Sequence, residues 1–226
     1  MKKIIILSAL FFFSQAVFAS VTSENAVQSR IDYVGTNILN ANRIQNRVIF
    51  TYNKEKKKKL LSEDKTLAKR QVVVYDGLYQ SVQSDDELAA MLSREISIAV
   101  KTYSGMWGGA LDTAQVALSP KKFETAADKR AVDYMVNANY NPLALIVFIN
   151  KTCPQGRSDF IGRHNLTSKR LARIYEYITY KYPQYLTNNK YTENLYYQNF
   201  LLNSIENRRK LEEKVRTKST EEIKYE

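Results

Sequence analysis

The chain has 226 residues, and its 34 lysines and arginines against 23 aspartates and glutamates give a formal net charge of +11 at pH 7. This length suits one domain with a substantial hydrophobic core. A single cysteine excludes an internal disulfide. With a single histidine as well, the chain offers few of the side chains that usually bind zinc.

The N-terminus has the pattern of a secretory signal peptide, residues 1–19. Two lysines precede an apolar run over residues 4–13, and a small residue, Ala19, ends the segment. We therefore predict cleavage before Ser20 and a periplasmic or otherwise exported protein. The run is short for a permanent membrane span, and an uncleaved anchor is the alternative.

Part of the positive charge is concentrated in one lysine run, formed by Lys54, Lys56, Lys57, Lys58 and Lys59. The simplest interpretation is a solvated loop. A run of this kind could also bind an anionic surface, such as anionic lipid, an acidic protein or an envelope polymer. Because the chain carries an export signal, we expect no nucleic acid partner.

The first half of the chain predicts one helix and two strands. Mixed apolar spacing with good helix formers indicates a helix over residues 26–45. Alternation of β-branched and aromatic residues predicts strands at Arg47–Tyr52 and Gln71–Tyr75, and Asp76-Gly77 indicates a turn after the second strand. We expect the strands to form a small antiparallel sheet in an α+β, mainly helical fold.

The best-defined helix begins at Ser84. Ser84 and Glu87 have the spacing of a capping box, and an apolar stripe with helical periodicity follows. Glu95 falls on this stripe. Because a carboxylate is rarely buried without a partner, the sequence predicts a partner for Glu95.

The rest of the chain predicts further helices. A short helix is expected near residues 110–118, and Ser119-Pro120 has the pattern of a helix start. Asn139 is a candidate for a left-handed stop, and Asn141-Pro142 opens an apolar helix to about Lys151. Two more helices are expected over residues 165–183 and 191–215.

Three segments resemble metallopeptidase family 48 in the order expected for that family. They are VVVYDGLYQSVQSDDELAAMLSREISIAV (72–100), FETAADKRAVDYMVNANYNPLAL (123–145) and RHNLTSKRLARI (163–174). The family includes the HtpX-type heat-shock protease, the CAAX prenyl endopeptidase and periplasmic outer-membrane quality-control proteases. The resemblance implies a zincin-like metallopeptidase domain over residues 20–183, followed by a helical C-terminal extension over residues 184–226.

The catalytic motif of that family, HExxH, is incomplete here. It needs two histidines one turn apart to bind zinc and a glutamate between them as general base. The resemblance aligns Arg94 and Ile98 with the two histidines and Glu95 with the glutamate. It also aligns Glu124 with the third metal ligand. We therefore expect no bound zinc and no proteolysis.

Three other positions match the supporting residues of the family. Asp128 matches an aspartate one turn after the third ligand, and His164 and Arg170 match a histidine and an arginine of the last motif. A zinc site with atypical ligands, built from Glu95, Glu124 and His164, is the alternative.

Arg94 is the candidate replacement for the metal's positive charge. Without zinc, Glu95, Glu124 and Asp128 would repel one another across two packed helices. We predict that the Arg94 guanidinium lies between them and binds Glu124 or Asp128. The leading functional interpretation is a pseudopeptidase that binds a protein or peptide in the cell envelope, and strand addition at residues 71–75 is the candidate binding mode. The alternatives are a weakly active zinc metalloendopeptidase and a basic adaptor for anionic lipid or envelope polymer.

Overall fold

The computed structural model describes residues 24–45, 48–58, 71–102, 120–153 and 167–225. The predicted signal peptide, Lys59, the short helix near 110–118 and His164 lie outside these residues. The described part of the chain contains two strands and nine helices: α1 (24–41), β1 (Ile49–Asn53), β2 (Gln71–Tyr75), α2 (Asp76–Tyr79), α3 (Asp85–Thr102), α4 (Pro120–Asn137), α5 (Leu143–Thr152), α6 (Thr167–Lys181), α7 (Gln184–Thr187), α8 (Leu195–Asn203) and α9 (Ile205–Thr217). The fold is therefore mostly helical, as predicted.

The two strands pair in parallel, with Ile49 opposite Gln71 and Asn53 opposite Tyr75. The prediction of an antiparallel sheet is wrong. An antiparallel pair can be joined by a tight turn, whereas a parallel pair needs a connection of roughly a dozen residues or more. The connection here, residues 54–70, is long enough for the chain to return to the starting end of β1.

Helix α3 begins where the capping pattern predicted. The Ser84 hydroxyl accepts a hydrogen bond from the Glu87 N–H (3.2 Å), and the Glu87 carboxylate accepts one from the Gln83 N–H (3.1 Å). Every residue of α3 from Asp86 to Ala99 is buried. A helix that is buried all round lies in the centre of a fold, and α3 packs on both α4 and α5.

The chain from Asp76 onward follows most of the predicted boundaries. Asn139 is left-handed (φ 63°) after α4, and α5 begins directly after Asn141-Pro142. The sequence Asp76-Gly77 starts the short helix α2 rather than a simple turn. The predicted helix over residues 191–215 is two helices, α8 and α9, because the backbone leaves helical geometry at Ser204 (φ −113°, ψ 15°).

The C-terminal helices share the hydrophobic core. Tyr197 and Phe200 of α8 are 2% exposed and lie in the same core as Phe148 of α5. The Asn150 side chain donates to the Tyr196 carbonyl (2.7 Å), which fixes α8 against α5. No helix among the described residues has the length and apolarity to cross a membrane.

Candidate functional site

Helix α3 carries two adjacent charged residues into the interior. The side chain of Arg94 is 3% exposed and that of Glu95 is 0% exposed. The Arg94 Nη1 donates a hydrogen bond to Glu95 Oε1 at 2.9 Å. Glu95, which the apolar stripe predicted to need a partner, is therefore met by its own neighbour in the sequence.

Arg94 also reaches the neighbouring helix. Its Nε lies 3.3 Å from Oδ1 of Asp128 on α4, and the Asp128 side chain is 2% exposed. The two atoms are at ion-pair distance, but the angle does not make a hydrogen bond, and the Nε has no hydrogen-bond acceptor within the described structure. Of the two partners predicted for Arg94, Asp128 is the one that it contacts at this distance.

Asp128 has a second and stronger partner in Arg170 of α6. The Arg170 Nε and Nη2 donate to the two carboxylate oxygens at 2.5 and 2.7 Å. This is the two-pronged geometry in which arginine binds carboxylates best. Burial lowers the pKa of Arg170, but the neighbouring groups, with Asp128 foremost, together raise it, so that this pKa lies above its ordinary value. The resulting chain of ion pairs, Glu95–Arg94–Asp128–Arg170, joins α3, α4 and α6.

Four buried atoms around this ion-pair chain have no hydrogen-bond partner in the described part of the protein. They are Glu95 Oε2, Arg94 Nε and the hydroxyls of Ser93 and Ser97. Burial raises the pKa of Glu95, while Arg94 acts in the opposite direction. The two serines were not predicted as site residues. Their signal is spacing: Ser93 and Ser97 lie one turn apart, on either side of the charged residues Arg94 and Glu95.

The other predicted site residues are placed less centrally. Ile98 is 5% exposed and one turn after Arg94, where it adds to the apolar interior. Glu124 is only half-buried, and its charge contributes to the raised pKa of Arg170. His164 lies outside the described residues, so the arrangement of Glu95, Glu124 and His164 stays a prediction.

The predicted lysine run is partly engaged by carboxylates. Lys54 forms an ion pair with Glu24, and Lys57 forms one with Glu55. The Lys57 ammonium also lies 5.3 Å from the centre of the Tyr75 ring. Lys56 and Lys58 are exposed. The run is therefore a surface segment whose charges are in part neutralised by its own neighbours.

Comparison with known proteins adds no relative. The chain matches no family model, no curated protein and no solved structure. The resemblance to metallopeptidase family 48 therefore rests on the three motifs alone.

The residues at the aligned metal position do not fit zinc. Zinc in proteins takes histidine, cysteine and carboxylate ligands, whereas the two aligned histidine positions hold a guanidinium and a hydrocarbon. Of the carboxylate oxygens in this region, Oε1 of Glu95 and both oxygens of Asp128 are engaged by Arg94 and Arg170. Within the described ranges, no three side chains of histidine, cysteine, aspartate or glutamate are grouped so as to hold a metal ion.

Proposed function

We propose that the protein is a non-catalytic relative of the zinc metallopeptidases, a pseudopeptidase that is exported and binds a protein or peptide partner in the cell envelope. One observation carries the proposal. The Arg94 guanidinium is buried between Glu95 and Asp128, at the position where the resemblance places the first zinc ligand.

The charges of the cluster support this proposal. Two arginines and two ionised carboxylates balance within the ion-pair chain, so these four side chains carry no net charge without a divalent cation. A zinc ion next to Arg94 would add two positive charges beside a fixed cation in a region of low dielectric constant, which is strongly unfavourable. An ion-pair chain that is balanced without a metal ion supports a metal-free scaffold, which a binding protein needs and a metallopeptidase does not.

Strand addition at residues 71–75 is not favoured as the binding mode. Val72 and Val74 of β2 are 0% exposed, with their backbones included. An incoming strand needs free main-chain N–H and C=O groups along an accessible edge. We therefore do not propose this strand as the partner surface of the pseudopeptidase.

Elemental analysis of the purified protein is the direct test. We expect far less than one zinc per chain, even after incubation with zinc followed by gel filtration. About one tightly held zinc per chain, as a catalytic centre requires, would show that the protein is not a zinc-free pseudopeptidase. Crosslinking in the native envelope, followed by identification of the captured protein, tests the binding half of the proposal.

A pair of substitutions tests the ancestry of the site. Arg94→His and Ile98→His together place two imidazoles one turn apart on α3, and Glu124 would complete a three-ligand set. We expect the double variant to bind about one zinc, and each single variant to bind none. A double variant that folds, by circular dichroism, but binds no zinc would mean that Glu124 is not placed as the resemblance implies.

A further inference from the structure

The side chain of Gln28, on α1, is bound to the backbone of β1. Its Nε2 donates to the Phe50 carbonyl at 3.1 Å, and its Oε1 accepts from the Tyr52 N–H at 2.7 Å. One carboxamide thus satisfies two main-chain groups of the same strand. This contact was not predicted from the sequence, because nothing around Gln28 distinguishes it from a solvent-facing helical glutamine.

These two main-chain groups belong to the edge of β1 that faces away from β2. The N–H and C=O of one residue in a strand point to the same edge, and successive residues alternate between the edges. Phe50 and Tyr52 therefore direct their groups to the outer edge, whereas Thr51 directs its groups to β2. In a parallel pair of strands, a residue bonds the two neighbours of the residue opposite it. It donates to the C=O of the preceding neighbour and accepts from the N–H of the following one. Gln28 makes this pair of bonds around Thr51, so its amide imitates one residue of a third strand.

Gln28 is held at this edge by its surroundings. Its Nε2 also donates to Asp32 Oδ1 at 3.0 Å, so both amide hydrogens have acceptors. Helix α1 approaches β1 closely at Gly35, where an added Cβ would come within 2.5 Å of the Phe50 ring. Because α1 is fixed at this distance, the Gln28 amide stays within reach of the strand.

We propose that Gln28 blocks the outer edge of β1 against pairing with the same edge of a second copy of this chain. An unprotected strand edge is a template for pairing with another chain, and natural proteins cover or charge such edges. The block uses hydrogen bonds rather than charge. This inference concerns self-association and does not depend on the proposed pseudopeptidase function.

A second copy is the occupant that the edge itself fits. The sequence of β1, IFTYN, carries no charged side chain, so two copies would not repel each other. Ile49 is 47% exposed and adds apolar surface at one end of the strand. About a two-fold axis at Thr51, Phe50 of one copy lies opposite Tyr52 of the other, and each such pair exchanges two hydrogen bonds.

Sedimentation velocity of the purified protein tests the block. We expect Gln28→Ala to form a dimer in a concentration-dependent way, under conditions where the wild type shows no such species. Gln28→Met keeps the length of the side chain but can neither donate nor accept, and it should behave as Gln28→Ala does. Gln184→Ala, a change of a helical glutamine that is exposed, is the control and should sediment like the wild type.

Two further measurements locate the pairing. Adding Ile49→Lys to Gln28→Ala places a charge on the strand edge and should abolish the dimer. The Tyr52 amide should exchange with deuterium about fivefold faster in the Gln28→Ala monomer than in the wild type, since one hydrogen bond is worth roughly 1 kcal/mol. Folded Gln28→Ala and Gln28→Met proteins that both remain monomeric would overturn the proposal. A dimer that Ile49→Lys leaves unchanged would also overturn it.

Discussion

Two aspartates of α4 face α6, and they differ in burial and in the partners that bind them. Asp128 is 2% exposed in its side chain and is bound by two arginines, Arg170 and Arg94. Asp133, five residues later, is 28% exposed in its side chain and lies at the surface of the same pair of helices. The two sites have the same helices and the same acidic residue, and differ chiefly in access to water.

The partners differ in the way that burial predicts. Asp133 accepts hydrogen bonds from the hydroxyls of Tyr177 and Tyr182 (2.9 and 2.8 Å) and from the Lys181 ammonium (2.8 Å). Burial, followed by the bond to Asp133, raises the pKa of Tyr182 to about 12. At the surface, neutral donors and one flexible lysine suffice. In the interior, a carboxylate needs a fixed cation and a geometry that uses both of its oxygens.

Removal of Arg94 should have the largest effect. Arg94→Ala leaves Glu95 without the one partner that it has among the described residues, and it leaves Asp128 with Arg170 alone. Breaking a buried ion pair costs about 3–5 kcal/mol. We expect a loss of this size in the free energy of unfolding, measured by urea denaturation at about pH 8. A loss within the surface range, about 0–1 kcal/mol, would contradict the interior pairing.

A second substitution sharpens this result. Adding Glu95→Gln to Arg94→Ala removes the stranded charge, so the double variant should recover part of the lost stability. Adding Glu124→Gln instead should recover less, because Asp128 and Glu95, rather than Glu124, are the carboxylates at ion-pair distance from Arg94. Strict additivity of Arg94→Ala and Glu95→Gln would mean that the two residues do not interact.

The substitution Arg170→Lys tests the fork geometry separately from the charge. Lysine keeps the positive charge but offers no planar pair of donors, so one of the two bonds to Asp128 is lost. A hydrogen bond to a charged group contributes about 1.5–3 kcal/mol. We expect a loss of stability in this range by urea denaturation, and Arg173→Lys, on the same helix, is the control. Equal losses of stability for Arg170→Lys and Arg173→Lys would contradict a special role for the two hydrogen bonds between Arg170 and Asp128.

The pH dependence of stability tests the burial of Glu95. Burial raises the pKa of Glu95 above its ordinary value of 4.5. Because the folded protein then binds this proton more tightly than the unfolded chain, the stability that Glu95 contributes is fully present below about pH 4.5. It is lost as the pH rises through the raised pKa. The wild type should therefore lose stability relative to Glu95→Gln as the pH rises from 4 to 8 in urea denaturation experiments. The opposite trend would mean that the Arg94 charge outweighs burial.

Removal of the surface lysine should have the smallest effect. Lys181 is 47% exposed in its side chain. Lys181→Ala should therefore change the free energy of unfolding by about 0–1 kcal/mol, and high salt should reduce the difference further. A thermal or urea denaturation curve of the variant measures this change. A loss as large as that of Arg94→Ala would remove the contrast between the two aspartate sites.

Local chemistry made several features of this fold predictable. The hydroxyl of Ser84 caps α3, Asn139 adopts the left-handed conformation, and the β-branched run gives the strand Gln71–Tyr75 at its predicted ends. Each depends on neighbours within about four residues. The need of Glu95 for a partner was equally local, because the helical period alone placed its carboxylate in the core.

Features that depend on distant contacts were not predictable from the sequence. The parallel pairing of the strands joins residues that are far apart in the chain, such as Ile49 and Gln71, and no local pattern encodes its direction. The use of Asp128 rather than Glu124 as the partner of Arg94 depends on how α3 and α4 are rotated against each other. Both acids lie one turn apart on α4, so spacing alone left the choice open.

The burial of α3 on every side has a consequence for how such a site evolves. If the protein descends from a zinc metallopeptidase, each substitution between Asp86 and Ala99 had to fit into a filled interior. A return to histidine at Arg94 alone would remove the counter-charge of Glu95 before a complete metal site existed to replace it. The change of Ile98 to histidine would therefore have to occur at the same time as the change of Arg94. Single mutations would then lead to the metal-free state more easily than they would restore metal binding.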